Sequence, residues 1–281
     1  MFKILVTGSG GYIGQHIVKT LLDMGHSVIA ADFNNDSVDD RAIKINESIF
    51  NLKEDAYKVL NKPDICLHMA WRNGFVHNSP THMEDLSAHF IFLKNMIYGG
   101  LKKVAVMGTM HEIGYWEGAI DENTPCNPLS LYGVAKNALR QSLIQMTQGK
   151  DVNFYWLRAF YILGDDLRNH SLFSKIIKME DEGQKTFPFT SGKNLYDFIS
   201  VYELAKQIAM SITQEEITGI INVCTGKPVS LSEKVDEFIS QNNLKIRPQY
   251  GAFPDREYDS PGIWGDATKI NKIIKNFEEQ K

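Results

Sequence analysis

A glycine-rich segment near the start of the chain restricts the fold more than any other feature of the sequence. Residues 7–14 read TGSGGYIG and lie between a short apolar run and a segment of helical period. Gly8 suits a tight turn, Gly11 leaves room for a pyrophosphate beside the backbone, and Gly14 permits close packing of a helix on a strand. The first amides of that helix would face the phosphates. The pattern predicts a dinucleotide-binding loop, with an ordinary strand-to-helix turn as the alternative.

Around this loop, short β-rich apolar runs alternate with longer segments of helical period. Such alternation is typical of crossover units that build a parallel sheet covered by helices on both faces. The sequence therefore predicts an α/β fold with a Rossmann-type doubly wound parallel sheet. The predicted strands span residues 3–7, 27–31, 65–69, 104–107 and 153–157, and the predicted helices span 13–24, 81–98 and 129–148.

The second half of the chain has a different texture, with polar loops and shorter apolar runs from about Gly164 onward. The apolar run 220–223 is expected to return to the sheet before the chain leaves it again. We therefore predict two structural regions. The first is an NAD(P)-binding Rossmann domain at 1–164 plus about 197–225, and the second is a smaller, discontinuous C-terminal substrate-binding region at about 165–196 and 226–281.

Asp32 ends the second predicted strand, beyond the last glycine of the loop. A carboxylate there can accept hydrogen bonds from both hydroxyls of an adenosine ribose and would repel a 2′-phosphate. No arginine occurs before Arg41, so a phosphate clamp beside Asp32 is not evident. The pattern favours NAD(H) over NADP(H), and a solvated carboxylate at a strand end is the alternative.

Composition and charge exclude several classes of protein. The 281 residues carry a formal net charge of -4 and their basic residues are scattered, so no nucleic-acid partner is expected. The three cysteines and the histidines at 82–89 lack the spacing of common metal sites, so no metal site is proposed. The sequence has no signal-peptide features and no membrane-spanning run, so we expect a cytoplasmic protein with no membrane partner.

The segment YGVAK at 132–136 places two complementary side chains on one helical face. Tyr132 and Lys136 are one helical turn apart, so an ammonium can lie near a phenol. A neighbouring positive charge lowers the pKa of a phenol from its ordinary value of about 10. We therefore expect Tyr132 to exchange a proton with an alcohol or carbonyl near neutral pH, while a nicotinamide exchanges the hydride. A pair of surface residues is the alternative.

Thr109 follows the predicted strand 104–107, at the end where a parallel sheet opens its ligand crevice. Its hydroxyl can hydrogen-bond the reacting oxygen and hold it against Tyr132, beneath the nicotinamide. Thr109, Tyr132 and Lys136 therefore form the predicted catalytic set.

In this order and spacing, these elements resemble the extended short-chain dehydrogenase/reductase family of nucleotide-sugar epimerases, dehydratases and reductases. Later segments resemble the family too, over nearly the whole chain: HMAW at 68–71, LRAFYILG at 157–164, YDFISVYELA at 196–205 and INVCTGKPVSL at 221–231. The resemblance implies that Thr109, Tyr132 and Lys136 form a catalytic triad and that Lys136 also touches the nicotinamide ribose. It further implies that Arg256 binds the diphosphate of the substrate.

The same resemblance implies a cofactor site and an oligomeric state. Related enzymes dimerise through the helix that bears the tyrosine and the helix before it, so a homodimer is expected. The implied cofactor contacts are Gly8, Gly11, Tyr12, Ile13, Gly14, Asp32, Ser48, Ile49, Met69, Ala70, Tyr132, Lys136 and Phe160.

The chain departs from the family pattern around the expected substrate. Ser48 stands where relatives often have an aspartate beside the adenine, Tyr161 replaces an asparagine near the sugar, and Tyr196 replaces an arginine. Dehydratases have Asp-Glu directly after the catalytic threonine, whereas this chain has Met110 and His111, which argues against dehydration. Epimerase-reductases similar to GDP-fucose synthase have a cysteine where His111 stands. His111 is therefore a candidate second acid or base, or a sugar ligand, with a structural role as the alternative.

Trp71 and Arg72 lie just past the strand that is expected to border the nicotinamide. An aromatic ring followed by a guanidinium can pack against and orient a sugar or its phosphates. We predict substrate contact for both, with packing as the alternative. The predicted substrate-binding set is thus Trp71, Arg72, His111, Tyr161 and Arg256.

Three functional hypotheses follow. The leading one is reduction of a 4-keto-6-deoxyhexose carried on a nucleoside diphosphate, such as a dTDP-sugar, by NAD(P)H, with Tyr132 donating the proton. The second is a nucleotide-sugar 4-epimerase that oxidises and re-reduces its substrate with tightly held NAD. The third belongs to another class, a non-catalytic dinucleotide-sensing or scaffold protein, and the complete catalytic set counts against it.

Overall fold

A computed structural model describes residues 1–164, 172–255 and 260–279 of the chain. Two short 3-10 helices, Ile49–Asn51 and Met110–Glu112, accompany the regular elements. In chain order the helices and strands are β1 (Lys3–Thr7), α1 (Tyr12–Asp23), β2 (Ser27–Asp32), β3 (Ile43–Asn46), α2 (Ala56–Val59), β4 (Ile65–His68), α3 (Thr81–Glu84), α4 (Leu86–Gly99), β5 (Lys103–Thr109), β6 (Gly118–Ile120), α5 (Leu131–Thr147), β7 (Asn153–Ala159), β8 (Tyr161–Leu163), α6 (Leu172–Asp181), β9 (Thr186–Pro188), β10 (Leu195–Ser200), α7 (Val201–Thr213), β11 (Gly219–Val223), β12 (Pro228–Ser230), α8 (Leu231–Gln241), β13 (Arg247–Gln249), β14 (Gly262–Gly265) and α9 (Thr268–Glu279).

A parallel sheet of seven strands occupies the centre of the described part of the molecule. Its strand order is β11-β7-β5-β4-β1-β2-β3, and each neighbouring pair is parallel. The order changes direction between β1 and β4, which is where open sheets of this type bind ligands beyond the carboxyl ends of their strands. The predicted Rossmann-type doubly wound fold is confirmed, and β11 returns to the sheet beside β7 as predicted.

Helices cover both faces of this sheet, each over its own apolar core. One core contains buried residues of α1, α7 and α9, and the other contains buried residues of α2, α4 and α5. Since both faces are covered, the central strands are mostly apolar, and every residue of β5 is buried, including Lys103 and Thr109 at its two ends. Within the residues that the structure describes, no helix combines the length and apolar character needed to cross a bilayer.

Two predicted helices differ from the observed ones. The predicted helix 81–98 is divided into α3 and α4 at Asp85, whose carboxylate binds Arg72 and does not cap either helix. The predicted helix 129–148 begins at Leu131, because the Ser130 hydroxyl accepts a hydrogen bond from the Gly133 amide at 3.2 Å and caps it. Ile144 of this helix, which the apolar period of the sequence predicts to be buried, is exposed.

The C-terminal half adds a smaller layer to the sheet edge. A second sheet has the order β12-β10-β14-β6, with β8 paired to β10, and β13 pairs with β9. A separate apolar cluster has Ile176, Phe189, Val235 and Ile246 at its centre. The exact division of the chain into a Rossmann domain and a substrate-binding region stays a prediction.

Asp197 joins this layer to the end of the main sheet. The carboxylate is fully buried in β10 and accepts hydrogen bonds from the Thr225 amide and hydroxyl, at 2.9 and 2.6 Å. It also accepts from the amides of Gly226 at 2.9 Å and Gly265 at 3.2 Å. One side chain therefore connects β10 to β14 and to the loop after β11.

Replacing Asp197 with alanine is expected to lower the free energy of unfolding by about 3 kcal/mol, because several buried donors lose their acceptor. Urea unfolding of the purified chain followed by circular dichroism measures the change. Asp151→Ala is the control, since that side chain is 94% exposed and its ion pair with Lys102 lies at the surface. Its expected cost is below about 0.5 kcal/mol. Equal losses in the two variants would contradict the role of Asp197.

Candidate active site

The glycine loop adopts a conformation that larger residues cannot share. Gly8 has a φ of +71°, and a Cβ atom there would lie 2.6 Å from the Ala70 amide nitrogen. A Cβ atom on Gly14 would lie 2.2 Å from the Gly8 carbonyl oxygen. Gly11 is exposed and precedes α1, whose first residues, Tyr12 and Ile13, are half-buried. The loop thus has the tight turn and the close helix packing that the sequence predicted.

Asp32 lies beside this loop at the carboxyl end of β2. Its carboxylate accepts hydrogen bonds from the Gly10 amide at 3.0 Å and from the Phe33 amide at 2.7 Å. The loop and the strand end are joined a second time, because the Ser9 hydroxyl donates to the amide oxygen of buried Asn35 at 2.6 Å. Sequence reasoning missed Ser9 and Asn35, whose pairing across 26 residues has no local signal.

The remaining predicted cofactor contacts surround the same strand ends. Met69 and Ala70 follow β4, and their amides donate to the Thr7 hydroxyl at 3.1 and 3.2 Å. Ser48 caps a 3-10 helix by accepting from the Phe50 amide, and Ile49 is buried beneath it. Phe160 follows β7 and is 6% exposed, packed within the apolar core.

The three predicted catalytic residues meet at the carboxyl edge of the sheet. Thr109 ends β5, while Tyr132 and Lys136 occupy the first turns of α5. The Thr109 hydroxyl accepts the His111 amide at 3.2 Å and is hydrogen-bonded to the Tyr132 phenol. The Lys136 ammonium lies 5.9 Å from the Tyr132 ring centroid and donates to the Met107 carbonyl at 2.8 Å.

Burial dominates the electrostatics of this set. It raises the pKa of Tyr132 to about 12, although the hydrogen bond with Thr109 opposes the rise. Burial also lowers the pKa of Lys136 to about 7, opposed in part by the carboxylate of Glu112. The sequence led us to expect a lowered phenol pKa, and that expectation is wrong for the ligand-free chain, because removal of solvent outweighs the hydrogen bond with Thr109. Tyr132 is therefore protonated at neutral pH.

Histidines surround the Tyr132 ring. The His77 imidazole stacks on it at 5.6 Å and 13°, and the His77 carbonyl accepts the Tyr132 amide at 2.9 Å. His111 lies 4.3 Å from His77 and 6.1 Å from Tyr132 between ring centroids, and His82 lies 5.2 Å from Tyr132. Burial, with His77 as a smaller cause, lowers the pKa of His111 to about 4, so its imidazole is neutral at pH 7.

The predicted substrate contacts have different surroundings. The Trp71 indole lies 3.9 Å from the Lys136 ammonium, measured to the ring centroid. Arg72 is exposed and forms a two-pronged ion pair with Asp85. Tyr161 packs against Tyr196 with their ring centroids 4.4 Å apart. The predicted diphosphate ligand, Arg256, lies outside the described residues.

A buried ionic group supports the turn that carries Thr109 and His111. Glu112 is fully buried and accepts hydrogen bonds from Trp156 at 2.9 Å and from Arg158 at 2.7 Å. Sequence reasoning missed this group, although a charged residue inside the apolar run of β7 was a signal for a buried ion pair. Among the residues that the structure describes, no group of three or more His, Cys, Asp or Glu side chains could hold a metal ion.

Comparison with known proteins identifies the family. The model of the NAD dependent epimerase/dehydratase family matches residues 4–224 of this chain. The chain belongs to the NAD-dependent epimerase/dehydratase family.

Relatives of known name agree with this family membership. The chain is 46% identical over 268 residues to "dTDP-6-deoxy-L-talose 4-dehydrogenase (NAD(+))" of Aggregatibacter actinomycetemcomitans, covering 94% of this chain and 99% of the relative. It is 25% identical over 296 residues to "Uncharacterized UDP-glucose epimerase YtcB" of Bacillus subtilis (strain 168), covering 97% and 92%. A solved structure of a UDP-N-acetylglucosamine 4-epimerase from Methanobrevibacter ruminantium M1 has the same fold, with a TM-score of 0.84 at 22% identity, covering 99% of this chain and 95% of the other.

Gly14→Ala is expected to destabilise this member of the family by about 1–3 kcal/mol, because the new methyl group would meet two backbone oxygens of the loop. A Cβ atom on residue 14 would lie 2.2 Å from the Gly8 carbonyl oxygen and 2.8 Å from the Ser9 carbonyl oxygen. Gly74→Ala is the matched control, since a Cβ atom there has open space and its expected effect is within about 0.5 kcal/mol. Chemical unfolding of both variants tests the assignment, and an unchanged Gly14→Ala protein would refute the tight packing of the loop.

Proposed function

We propose that this chain is an NAD(H)-dependent oxidoreductase that interconverts the 4-keto and 4-hydroxyl forms of a 6-deoxyhexose carried on a nucleoside diphosphate. The single observation that carries the proposal is the convergence of Thr109, Tyr132 and Lys136 at the carboxyl edge of the main sheet. The name of the relative at 46% identity, dTDP-6-deoxy-L-talose 4-dehydrogenase (NAD(+)), supports this sugar class and a dTDP carrier. Reduction of the ketone is the direction we favour.

Such a reaction needs a hydride for the ketone carbon and a proton for the ketone oxygen, and the residues of the chain fit both needs. NADH, when bound, would supply the hydride. Tyr132 donates the proton to the ketone oxygen, and its raised pKa supports this role because the phenol keeps its proton at neutral pH. Thr109 hydrogen-bonds the same oxygen and holds it against the phenol. Lys136 provides a positive charge beside the phenolate that forms, which stabilises it after the proton has left.

The cradle at the sheet edge suits a dinucleotide. Cβ atoms on Gly8 and Gly14 would collide with backbone, so these glycines permit the tight turn and the close helix packing that a phosphate-binding loop needs. We propose that the loop and the first residues of α1 hold the pyrophosphate and that Asp32 binds the adenosine ribose, which favours NAD(H) over NADP(H). The other proposed cofactor contacts are Tyr12, Ile13, Ser48, Ile49, Met69, Ala70, Lys136 and Phe160.

On the substrate side, we propose that His111, next to Tyr132, contacts the sugar. Tyr161 is proposed as a further contact, together with Arg256 for the diphosphate. The Arg72 guanidinium already forms an ion pair with Asp85. Arg72 is therefore proposed to contact the substrate by exchanging this ion pair for one with a substrate phosphate. A cytoplasmic location is also part of the proposal, supported by the three free cysteines, which suit a reducing compartment.

We also propose that the chain forms a homodimer through α4 and α5. Apolar side chains on the outer faces of both helices are exposed in a single chain, among them Ile91 and Tyr98, one above the other on α4, and Val134 on α5. Exposed apolar residues that share a helix face are typical of subunit interfaces.

The function is tested by incubating the full chain with NADH and a dTDP-4-keto-6-deoxyhexose and recording absorbance. Consumption of NADH is expected with the sugar nucleotide and not with simple ketones. Tyr132→Phe is expected to lower kcat by at least about 100-fold, because the proton donor is lost. Tyr57→Phe, on α2, is the control and keeps the wild-type rate. A Tyr132→Phe enzyme with full rate would refute the mechanism.

Two other outcomes of the same assay would replace the proposal. Conversion of UDP-glucose without added NADH, by protein that carries bound NAD, would identify a 4-epimerase, the activity named for several relatives at 25–27% identity. Dinucleotide binding without turnover on any sugar nucleotide would identify a non-catalytic protein.

The dimer is tested by light scattering on the purified chain. A mass near twice the 31.9 kDa of this chain is expected. Ile91→Glu is expected to give monomers, because a charge would be buried at the centre of the interface, whereas Val59→Glu, at an exposed site on α2, leaves the mass unchanged. A wild-type chain that is monomeric at micromolar concentration would contradict the proposal.

A further inference from the structure

The Trp71 indole contacts the Lys136 ammonium, and this contact points to a function of the tryptophan other than sugar binding. We propose that Trp71 is a positioning residue of the reaction: its indole face keeps the Lys136 side chain in its ammonium form beside Tyr132, and His82 and His89 hold the indole in place. The inference rests on the proposed function for its catalytic consequence. The effect of the Trp71 indole on the Lys136 ammonium concerns the chain without any ligand.

The surroundings of Lys136 leave the ammonium with few sources of stabilisation. The residue is only 2% exposed, and among the residues that the structure describes its ammonium donates one hydrogen bond, of 2.8 Å, to the Met107 carbonyl. The Trp71 ring centroid lies 3.9 Å from the nitrogen and the Tyr132 ring centroid 5.9 Å, so Trp71 makes the nearer of these two cation–π contacts. Burial favours the neutral amine, and the electron-rich face of an indole favours the ammonium.

The orientation of Trp71 is fixed from two sides. Its indole N–H donates to His82 Nδ1 at 3.0 Å, and His82 Nε2 is 3.0 Å from the Val76 carbonyl. Because a carbonyl can only accept, Nε2 carries the proton and Nδ1 is the acceptor, so His82 is a neutral imidazole in one tautomer. The His89 ring stacks on the indole at 4.4 Å and 11°.

A line of hydrogen bonds continues from His89 to the glycine loop. His89 Nδ1 is 2.8 Å from His68 Nε2, and His68 Nδ1 is 2.9 Å from the Thr7 hydroxyl. Thr7 already accepts the Met69 and Ala70 amides, so its hydroxyl donates to His68. This layer connects the indole to the backbone beside Gly8. These contacts fix the Trp71 side chain in one orientation, whereas a side chain that binds a sugar often changes its orientation.

The titratable groups around Lys136 determine in which direction its pKa changes when the indole is lost. They are Tyr132 on its own helix, Glu112 on the 3-10 helix after β5, His68 on β4 and His89 on α4. Burial, followed by the charge of Lys136, lowers the pKa of His89 to about 3, so both histidines are neutral at pH 7. Loss of the indole removes stabilisation of the cation, so the pKa of Lys136 must fall.

The test measures the pKa of Lys136 in the ligand-free full chain by NMR, with lysine labelled at Cε with carbon-13. The Lys136→Met spectrum assigns the signal. Trp71→Leu is expected to lower this pKa by about one unit, and Trp71→Phe, which keeps an aromatic face, by less than half as much. Trp264→Leu, the same change at another half-buried tryptophan, leaves it unmoved. An unchanged pKa in folded Trp71→Leu overturns the proposal, whether or not the chain reduces a sugar.

Fluorinated tryptophan provides a second test that does not depend on the folding of Trp71→Leu. Fluorine withdraws electrons from the indole and weakens its attraction for a cation while the packing changes little. The pKa of Lys136 is expected to fall stepwise as tryptophan with one and then two ring fluorines is incorporated. A pKa that is the same in all three proteins would contradict the proposal.

Enzyme kinetics separate this role from sugar binding. Reduction requires the Lys136 ammonium, so kcat falls as pH rises through its pKa. In Trp71→Leu this fall is expected about one pH unit lower, which gives a roughly fivefold smaller kcat at the wild-type midpoint. The KM for the sugar nucleotide stays within about twofold of wild type. A raised KM with an unmoved pH profile would instead make Trp71 a substrate contact. Absence of turnover in the wild-type chain would refute the proposed function and leave the NMR result standing.

Discussion

The burial of one ammonium determines how the centre of this molecule is arranged. Lys136 has almost no solvent, so the protein itself must stabilise its charge. Its nitrogen contacts the Met107 carbonyl in β5 and the Trp71 indole after β4, which ties α5 to two neighbouring strands. Tyr132 lies one helical turn before Lys136, and Thr109 lies two residues after Met107. The meeting of the three catalytic candidates is therefore a consequence of how α5 packs on the carboxyl ends of β4 and β5.

Features that depend on short stretches of sequence were predicted correctly. The glycine loop could be recognised because its conformation excludes side chains. The strands of the main sheet could be recognised because strands buried on both faces contain continuous apolar runs. β3 was missed, since this edge strand has exposed and half-buried residues and reads IKIN. The family resemblance was confirmed by the family model over residues 4–224.

Features that depend on contacts between distant residues could not be predicted. Trp71 was assigned to the substrate, but nothing near it in the sequence reveals that the ammonium of Lys136 lies against its ring. Asp197 was read as part of a family motif, and its bond to the Gly265 amide spans 68 residues. The pKa of Tyr132 moved opposite to the expectation, because the extent of burial is a property of the packed molecule and not of a helical spacing.

Transfer of deuterium from the cofactor to the sugar tests the central claim most directly. NADH labelled on either face of the nicotinamide at the transferred position is incubated with the chain and a dTDP-4-keto-6-deoxyhexose, and the product is examined by NMR. With one of the two labelled cofactors, the geometry of Thr109, Tyr132 and Lys136 predicts one deuterium on the carbon that carried the ketone. A product whose new carbon-bound hydrogen comes from water with both labelled cofactors would contradict hydride transfer at this site.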